Sequence, residues 1–421
     1  MKLFLYNLIL FALTPFFALR ILYKSFYDKD YRLNFLQRFG ILGLKNINVP
    51  DTKIIWFHAV SLGEVIASQK MIKSLTKNYI INLTVSTPTG LRQAKELYRN
   101  YDINISYAPW DFYYCVNAFM NNIRPDLIIV FETEIWPSMI YIASKNNIPV
   151  LLSNGRMSMK SYSSYKRFNF FSKEIFNRLN KVLAQSIPHA ERFKDLGVKS
   201  SAIQVTGTVK FDLIPAAAKS NSDLDNFVKT KNILAVSTHH GEDEIILRAF
   251  IEVLTHFPNI KLIIVPRHPE RAAAIYKLAD KKNISACIES EGIDTKSSIL
   301  IINSIGKTSV LYESAEAVFV GGSLVERGGH NIIEPAFFAC PIIIGPHMFN
   351  FESIAEEFRN NASCKVVHDS KSLANEFINL LANKDEALMM TEAASKILVR
   401  NSGASDRQLS VIMDFLEGAN E

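Results

Sequence analysis

Ten short apolar runs, in two series of five and each followed by a stretch with helix-like spacing, constrain this chain more than any other feature of its sequence. The first series reads IIWFHAV (from Ile54), INLTVST, DLIIVF, PVLLSN and KVLAQS; the second reads NILAVST, KLIIVP, SILIINS, AVFVGG and CPIIIG. A run with no polar alternation suits a strand covered on both faces, and a helical crossover between successive runs makes their strands parallel. The expected fold is therefore α/β, with two Rossmann-like parallel-sheet domains facing one another across a cleft. A length of 421 residues agrees, being more than one core ordinarily serves. A polar stretch from about Pro215 to Lys231 parts the two series, giving a first domain over 25–212, a linker over 213–230 and a second domain over 231–421. Within the last of these, Asp406 to Leu416 reads as an amphipathic helix packed at the surface.

Ahead of the first series lies an uncharged apolar run of 17 residues, Leu3 to Leu19, the short end of what crosses a bilayer. Lys2 precedes it, whereas Arg20, Lys24, Lys29, Arg32 and Arg38 come after it, a bias that keeps the bulk of the chain cytosolic. No small-x-small cleavage signal lies beyond the run, so residues 1–24 read as a retained anchor, spanning the membrane or lying in its interface, rather than as a cleaved leader. Residues 1–214 carry 27 Lys and Arg against 14 Asp and Glu, net +13; the remainder carries 20 against 27, net −7. A basic half meets nucleic acid, anionic lipid or a phosphorylated substrate, and the anchor beside it selects the membrane surface over nucleic acid.

Cys115, Cys287, Cys340 and Cys364 lie far apart with no ligand spacing, so neither a zinc site nor a disulfide framework is indicated, which fits a reducing compartment. Asp28-Lys29-Asp30 matches a D-x-D metal motif superficially, but it sits beside the anchor and outside either sheet, as a solvated linker.

Ligands of parallel sheets bind beyond the carboxyl ends of the strands, which makes the residues just after each run the informative ones. After the first comes Ser61-Leu62-Gly63-Glu64, where Glu64 is either a general base or the far member of a capping box. After the third comes Glu132-Thr133-Glu134-Ile135-Trp136-Pro137. Two carboxylates beside an indole raise one another's pKa and equip the site for base work; the bland reading is a solvated helix start blunted by Pro137. Lys210, in Thr206-Gly207-Thr208-Val209-Lys210-Phe211-Asp212, is either a stabiliser of developing negative charge or a surface cation.

In the second series, Gly321-Gly322-Ser323 through Gly328-Gly329-His330-Asn331 runs into Ile332-Ile333-Glu334. Its backbone amides are expected to cradle a phosphate, with Asn331 as the helix N-cap; the alternative is a second capping box, Asn331-x-x-Glu334. Glu326 and Glu334 suit ribose hydroxyls. Arg267, in Pro266-Arg267-His268-Pro269-Glu270-Arg271, offers a guanidinium to a phosphate or carboxylate, or simply belongs to a basic loop.

Taken together, WFHAVSLGE, FETEIWP, NGRMS (Asn154 to Ser158), TGTVKFD, PRHPER, GGSLVERGGHNIIEPA and GPHMFNF (Gly345 to Phe351) resemble the 3-deoxy-D-manno-octulosonic acid (Kdo) transferases of lipopolysaccharide synthesis, over nearly the whole chain. That resemblance implies a GT-B glycosyltransferase with CMP-Kdo as donor and the lipid A precursor as acceptor. It also implies inversion at the anomeric carbon without an obligatory metal, and a place on the cytoplasmic side of the inner membrane. It further implies Glu64 as proton acceptor, Glu134 and Lys210 as transition-state stabilisers, and CMP contacts at Arg267, His268, Ile305, Gly306, Lys307, Asn331, Ile332, Ile333 and Glu334. Two positions depart from the family pattern. Thr208 stands where Ser or Asn is usual, which keeps a small polar group, and Gly306-Lys307 stands where the family has Gly-Glu, a swap that main-chain contacts to cytidine tolerate. Competing readings are a GT-B transferase or epimerase that uses a UDP-sugar, separated by competition of CMP against UDP, and a non-catalytic membrane-tethered nucleotide-binding protein, which would lose no activity with Glu64 or Glu134.

Overall fold

The interior of a parallel sheet demands side chains that are apolar on both faces, and the strands that meet this demand form the middle of each sheet in the structure, a computed structural model describing residues 2–41, 52–213, 222–304 and 306–418. The first sheet comprises β1 (Ile54–His58), β2 (Ile80–Val85), β3 (Ile103–Tyr107), β4 (Leu127–Phe131), β5 (Val150–Gly155), β6 (Lys181–Ala184) and β7 (Ile203–Val205), in the order β3-β2-β1-β4-β5-β6-β7. The second comprises β8 (Asn232–Thr238), β9 (Lys261–Pro266), β10 (Ala286–Ile288), β11 (Ile299–Ile301), β12 (Ala315–Val320), β13 (Ile342–Ile344) and β14 (Lys365–Val366), in the order β10-β11-β9-β8-β12-β13-β14. Neighbouring strands pair in parallel throughout, and helices form the crossovers, as expected of the GT-B class.

Successive residues of a strand point to opposite faces, so each strand feeds two cores. Ile55 and Phe57 of β1 join a cluster with Leu75, Ile81 and Phe131, while Trp56 between them joins another with Phe119, Ile128 and Val130. In the second sheet Ile233 and Ala235 pack with Ile264, Phe250, Phe319 and Phe377.

The chain divides into two units, residues 1–213 with 403–421, and residues 214–402. The expected second domain of 231–421 therefore gives up its last helix, Ala404–Gly418, to the first unit. The reason lies in that helix's buried face. Leu409, Ile412 and Leu416 pack with Ile55, Phe57 and Val209, and Gln408 accepts from Ser153 Oγ at 2.7 Å and from the Asn154 amide at 3.0 Å. Asp212 holds the helix start, accepting from the amides of Gly403 at 2.6 Å and Ser405 at 2.5 Å. Amphipathicity predicts such a helix; it does not say which core the apolar face completes.

Lys2–Tyr27 forms one helix, and its stretch Leu3–Tyr27 is long and apolar enough to cross a membrane. Asp28 and Asp30, just beyond it, both pair with Arg92, so the D-x-D carboxylates serve an ion-pair cluster.

Candidate functional site

Strand order reverses between β1 and β4 in the first sheet, and the residues just beyond two such strands converge. Beyond β1, Ser61 caps the helix Leu62–Ala67, its side chain accepting from the Glu64 amide. The Glu64 carboxylate reaches back, accepting from Ser61 Oγ at 2.7 Å and from the Val60 amide at 2.9 Å. Capping geometry and acid–base capacity thus coincide in one side chain. Burial, with added repulsion from Glu132 and Glu134, pushes the Glu64 carboxyl up to about 7 despite the two hydrogen bonds that favour its ionised form.

Beyond β4 the chain turns sharply at Glu132, a non-glycine residue with φ of 61°. That turn sends Glu134 toward Trp136, whose indole N–H donates to Glu134 Oε2 at 2.9 Å. Burial raises the Glu134 carboxyl, helped by the charge of Glu132 and opposed by the Trp136 bond. The Trp136 ring meets the His58 ring edge-on at 4.5 Å. His58 is fully buried and held neutral, its pKa pushed down to about 3 by loss of water. Its Nδ1 lies 2.8 Å from Thr84 Oγ1, which accepts from Trp56 Nε1 at 2.8 Å.

Lys210 occupies the 3-10 turn Val209–Asp212, capped by Thr208, whose oxygen accepts from the Lys210 amide at 3.4 Å. Asn154, at the end of β5 with φ of 53°, accepts from the Val209 amide at 3.3 Å and ties this turn to the sheet. Lys210 Nζ lies 3.5 Å from Glu132 Oε1. Three carboxylates and one cation thus share the site, which leaves it rich in acceptors and able to take a proton near neutrality. His58 stands in the sequence motifs without a role, and Glu132 stands there only as one of two carboxylates; its pairing with Lys210 is revealed by the turn.

The second sheet reverses between β8 and β12, with β9 alongside β8. Here the expected phosphate cradle is already filled. Glu242, fully buried, accepts from the amides of His239 at 2.8 Å, Gly322 at 2.7 Å, Ser323 at 3.0 Å and Leu324 at 2.9 Å. Gly321 is required because a Cβ there would stand 2.9 Å from the Glu242 carboxylate and 2.8 Å from the β8 backbone. The paired glycines therefore accept an internal carboxylate, and the amides of residues 322–324 are not open to a ligand.

What the second site presents instead is a cluster of imidazoles and guanidinium groups. His239 and His330 stack at 5.2 Å between centroids with their Nε2 atoms 2.9 Å apart, and the ring of His268 lies 5.8 Å from that of His239. Burial pushes His330 down to about 4, helped by His239, Arg267 and His268; the same burial and the charges of His268, Arg327, Arg271 and Arg267 lower His239. Arg267 and His268 are exposed, as anion-binding groups must be, whereas Arg271 is tied to Asp243 and the Thr238 carbonyl. His239 gained no role from the sequence because the strand it comes after carries no motif of its own, and its partner His330 lies 91 residues away.

Ile332 caps the short helix Ile333–Phe337, in place of the expected Asn331; Asn331 Oδ1 instead accepts from the Ile333 amide at 3.1 Å. Glu334 accepts from Thr308 Oγ1 at 3.0 Å, and burial raises its carboxyl. Glu326 is exposed. Gly306 has φ of 86° and open space around it, Lys307 pairs with Glu289, and Ile305 lies outside the described residues.

Comparison with known proteins decides the family. Residues 33–213 match the family described as 3-Deoxy-D-manno-octulosonic-acid transferase (kdotransferase), and residues 220–397 match Glycosyl transferases group 1. The chain is 31% identical over 432 residues to the 3-deoxy-D-manno-octulosonic acid transferase of Haemophilus influenzae, covering 98% of this chain and 99% of that protein. It belongs to the Kdo transferase family. The transferase of Rickettsia bellii is 29% identical over 98% of this chain and 99% of its own. Among solved structures, a putative UDP-N-acetylglucosamine 2-epimerase from Listeria monocytogenes superposes with a TM-score of 0.62 at 15% identity, covering 87% of this chain and 97% of that one. A glycosyltransferase from Rickettsia africae gives 0.60 at 16%, with coverage of 87% and 98%. These two likenesses concern the fold alone. As a Kdo transferase, the chain is a glycosyltransferase of lipopolysaccharide synthesis.

Proposed function

We propose that this Kdo transferase moves Kdo from CMP-Kdo onto a glucosamine hydroxyl of the lipid A precursor, with inversion and without an obligatory bound metal, at the cytoplasmic face of the inner membrane. The observation that carries this reading is the Glu64 carboxyl at the first sheet's reversal point, with a pKa of about 7. Such a group is part-ionised at working pH and still basic enough to take an alcohol proton as the oxygen attacks. Glu64 takes that proton, the acceptor oxygen bonds to the anomeric carbon opposite the phosphate, and CMP leaves with the electron pair of the broken C–O bond. Lys210, steadied by Glu132, stabilises developing negative charge, and the Glu134 carboxyl, held by Trp136, stabilises the positive charge that develops at the anomeric carbon.

In the second unit, Arg267, His268 and the His239–His330 pair receive the phosphate, while Gly306 and Lys307, with the neighbouring Ile305, and Asn331, Ile332, Ile333 and Glu334 receive the cytidine. The +13 half and the apolar helix Leu3–Tyr27 favour an anionic membrane, each basic residue gaining on the order of 1 kcal/mol near its surface. The test is mass spectrometry of lipid A precursor incubated with the chain and a CMP-Kdo generating system. A mass increase of one or more Kdo residues supports the reading, and an unchanged acceptor refutes it. Glu64→Gln is expected to abolish the increase while CMP still binds.

A further inference from the structure

The N-terminal helix does more than carry apolar surface. Leu3, Tyr6, Asn7, Leu10, Thr14, Ala18, Ile21, Lys24 and Ser25 are each partly or wholly buried, a stripe at spacings of three and four that faces the first unit along the helix's whole length. Polar contacts hold its start to the first unit, and side chains of the turn just beyond it fold back on its other end. Near the start, Tyr6 OH donates to Asp111 at 2.9 Å, Asn7 Nδ2 donates to Ser138 Oγ at 3.3 Å, and Asn7 Oδ1 accepts from the Tyr113 amide at 2.8 Å. Near the other end, Lys24 meets Tyr31 OH at 3.5 Å and Arg32 donates to the Ser25 carbonyl. A helix whose start is held by the first unit and whose inner stripe is partly buried lies against that unit. Its outer side chains, Phe4, Leu8, Phe11, Phe16 and Leu19 among them, are free to enter the membrane interface.

Between helix and unit lies a cavity of about 390 Å³. Leu10, Phe17 and Ile21 of the helix form one wall, and Trp110, Phe112 and Trp136 form the other. Arg20, Lys24 and Arg38 also line it. Arg38 is 5% exposed; it donates to the Ser86 carbonyl and lies over the Tyr107 ring, while its Nε has no hydrogen-bond partner. Asp111 lines it too, but its carboxyl is engaged by Tyr6 and by the amides of Ser138 and Met139, so apolar walls with three cations suit an alkyl chain joined to a phosphorylated head. Trp136 links the cavity to the chemistry, because the indole that lines it is also the one that holds Glu134.

We propose that this cavity takes one acyl chain of the phosphorylated lipid acceptor, so that the N-terminal helix is a wall of the acceptor site as well as a membrane anchor. The proposal rests on the function given above. The test fills the cavity from the helix side, in Leu10→Trp and Ile21→Trp of the full chain, and compares the acylated acceptor with the phosphorylated disaccharide stripped of its chains. The expected result is a roughly tenfold rise in KM for the acylated acceptor, with kcat/KM for the stripped acceptor and KM for CMP-Kdo unchanged. Equal losses on both acceptors, or no change on the acylated one, overturn the proposal. Failure of the parent chain to modify either acceptor counts against the function itself, and a second measurement then still reports on the cavity. An acceptor with a photoreactive acyl chain should label Trp110, Phe112 or Phe17 in the parent chain, and excess phosphatidylglycerol vesicles should not displace it. Labelling elsewhere, or displacement by phosphatidylglycerol, overturns the proposal.

Discussion

Glu64 stores an unfavourable charge that a merely structural residue would avoid. Its carboxyl ordinarily ionises near 4.5 and in the fold near 7, so the native state binds the extra proton between those values and stability falls as pH rises through that window. Glu64→Gln keeps the cap and removes the charge. The variant should be inactive yet more stable than the parent above pH 7, by on the order of 1 kcal/mol after allowing for the water that reaches this half-buried group, with the difference gone below about pH 4.5. Urea unfolding at pH 8 and pH 4.5 measures it. Glu242 is the opposite case. Glu242→Ala strands four amides, those of Gly322 and Ser323 buried, and should cost about 3 kcal/mol, read as a lower urea midpoint together with weakened CMP binding. The His239–His330 pair, held neutral while empty, should gain a proton when a phosphate arrives. CMP binding at pH 6 should then take up protons and at pH 8 take up almost none, which calorimetry in buffers of different ionisation heat reveals. Glu64 was legible from its place after a strand, whereas Glu242 was not: the sequence shows a glycine-rich loop but not that a carboxylate 80 residues earlier in the chain occupies it.

At the scale of elements, the strands that the sequence left unread share one cause. The ten apolar runs became the ten inner strands, while β3, β7, β10 and β14, the four edges, were not recognisable. An edge strand needs less apolar cover, and these four are short or only partly buried, β7 being mostly exposed and β14 two residues long. The C-terminal helix was legible as a helix and misplaced as a part, since a 3.6-residue period names a buried face without naming its partner. Removing residues 403–421 should expose the first unit's core, where Leu409, Ile412 and Leu416 are each worth roughly 1.5–3 kcal/mol. Trp56, Trp110 and Trp136, the protein's three tryptophans, all lie in that unit. Their emission should shift to the red in the truncated chain, while the second unit still binds CMP.

At the scale of the molecule, charge is divided between the halves, +13 against −7. Binding to vesicles of anionic lipid should therefore be strong at low salt and fall steeply with ionic strength, leaving a residue of salt-resistant binding from the apolar helix; flotation at 50 and 500 mM salt tests this. The return of residues 403–418 to the first unit also fixes an order of events during synthesis. A ribosome delivers the membrane-seeking helix and then every strand of the first sheet, yet the piece that closes their core emerges only after the whole of 214–402 has been made. The nascent first half must wait, greasy and incomplete, beside the bilayer, and a message truncated anywhere in the second half yields a protein fit for degradation rather than a partial enzyme.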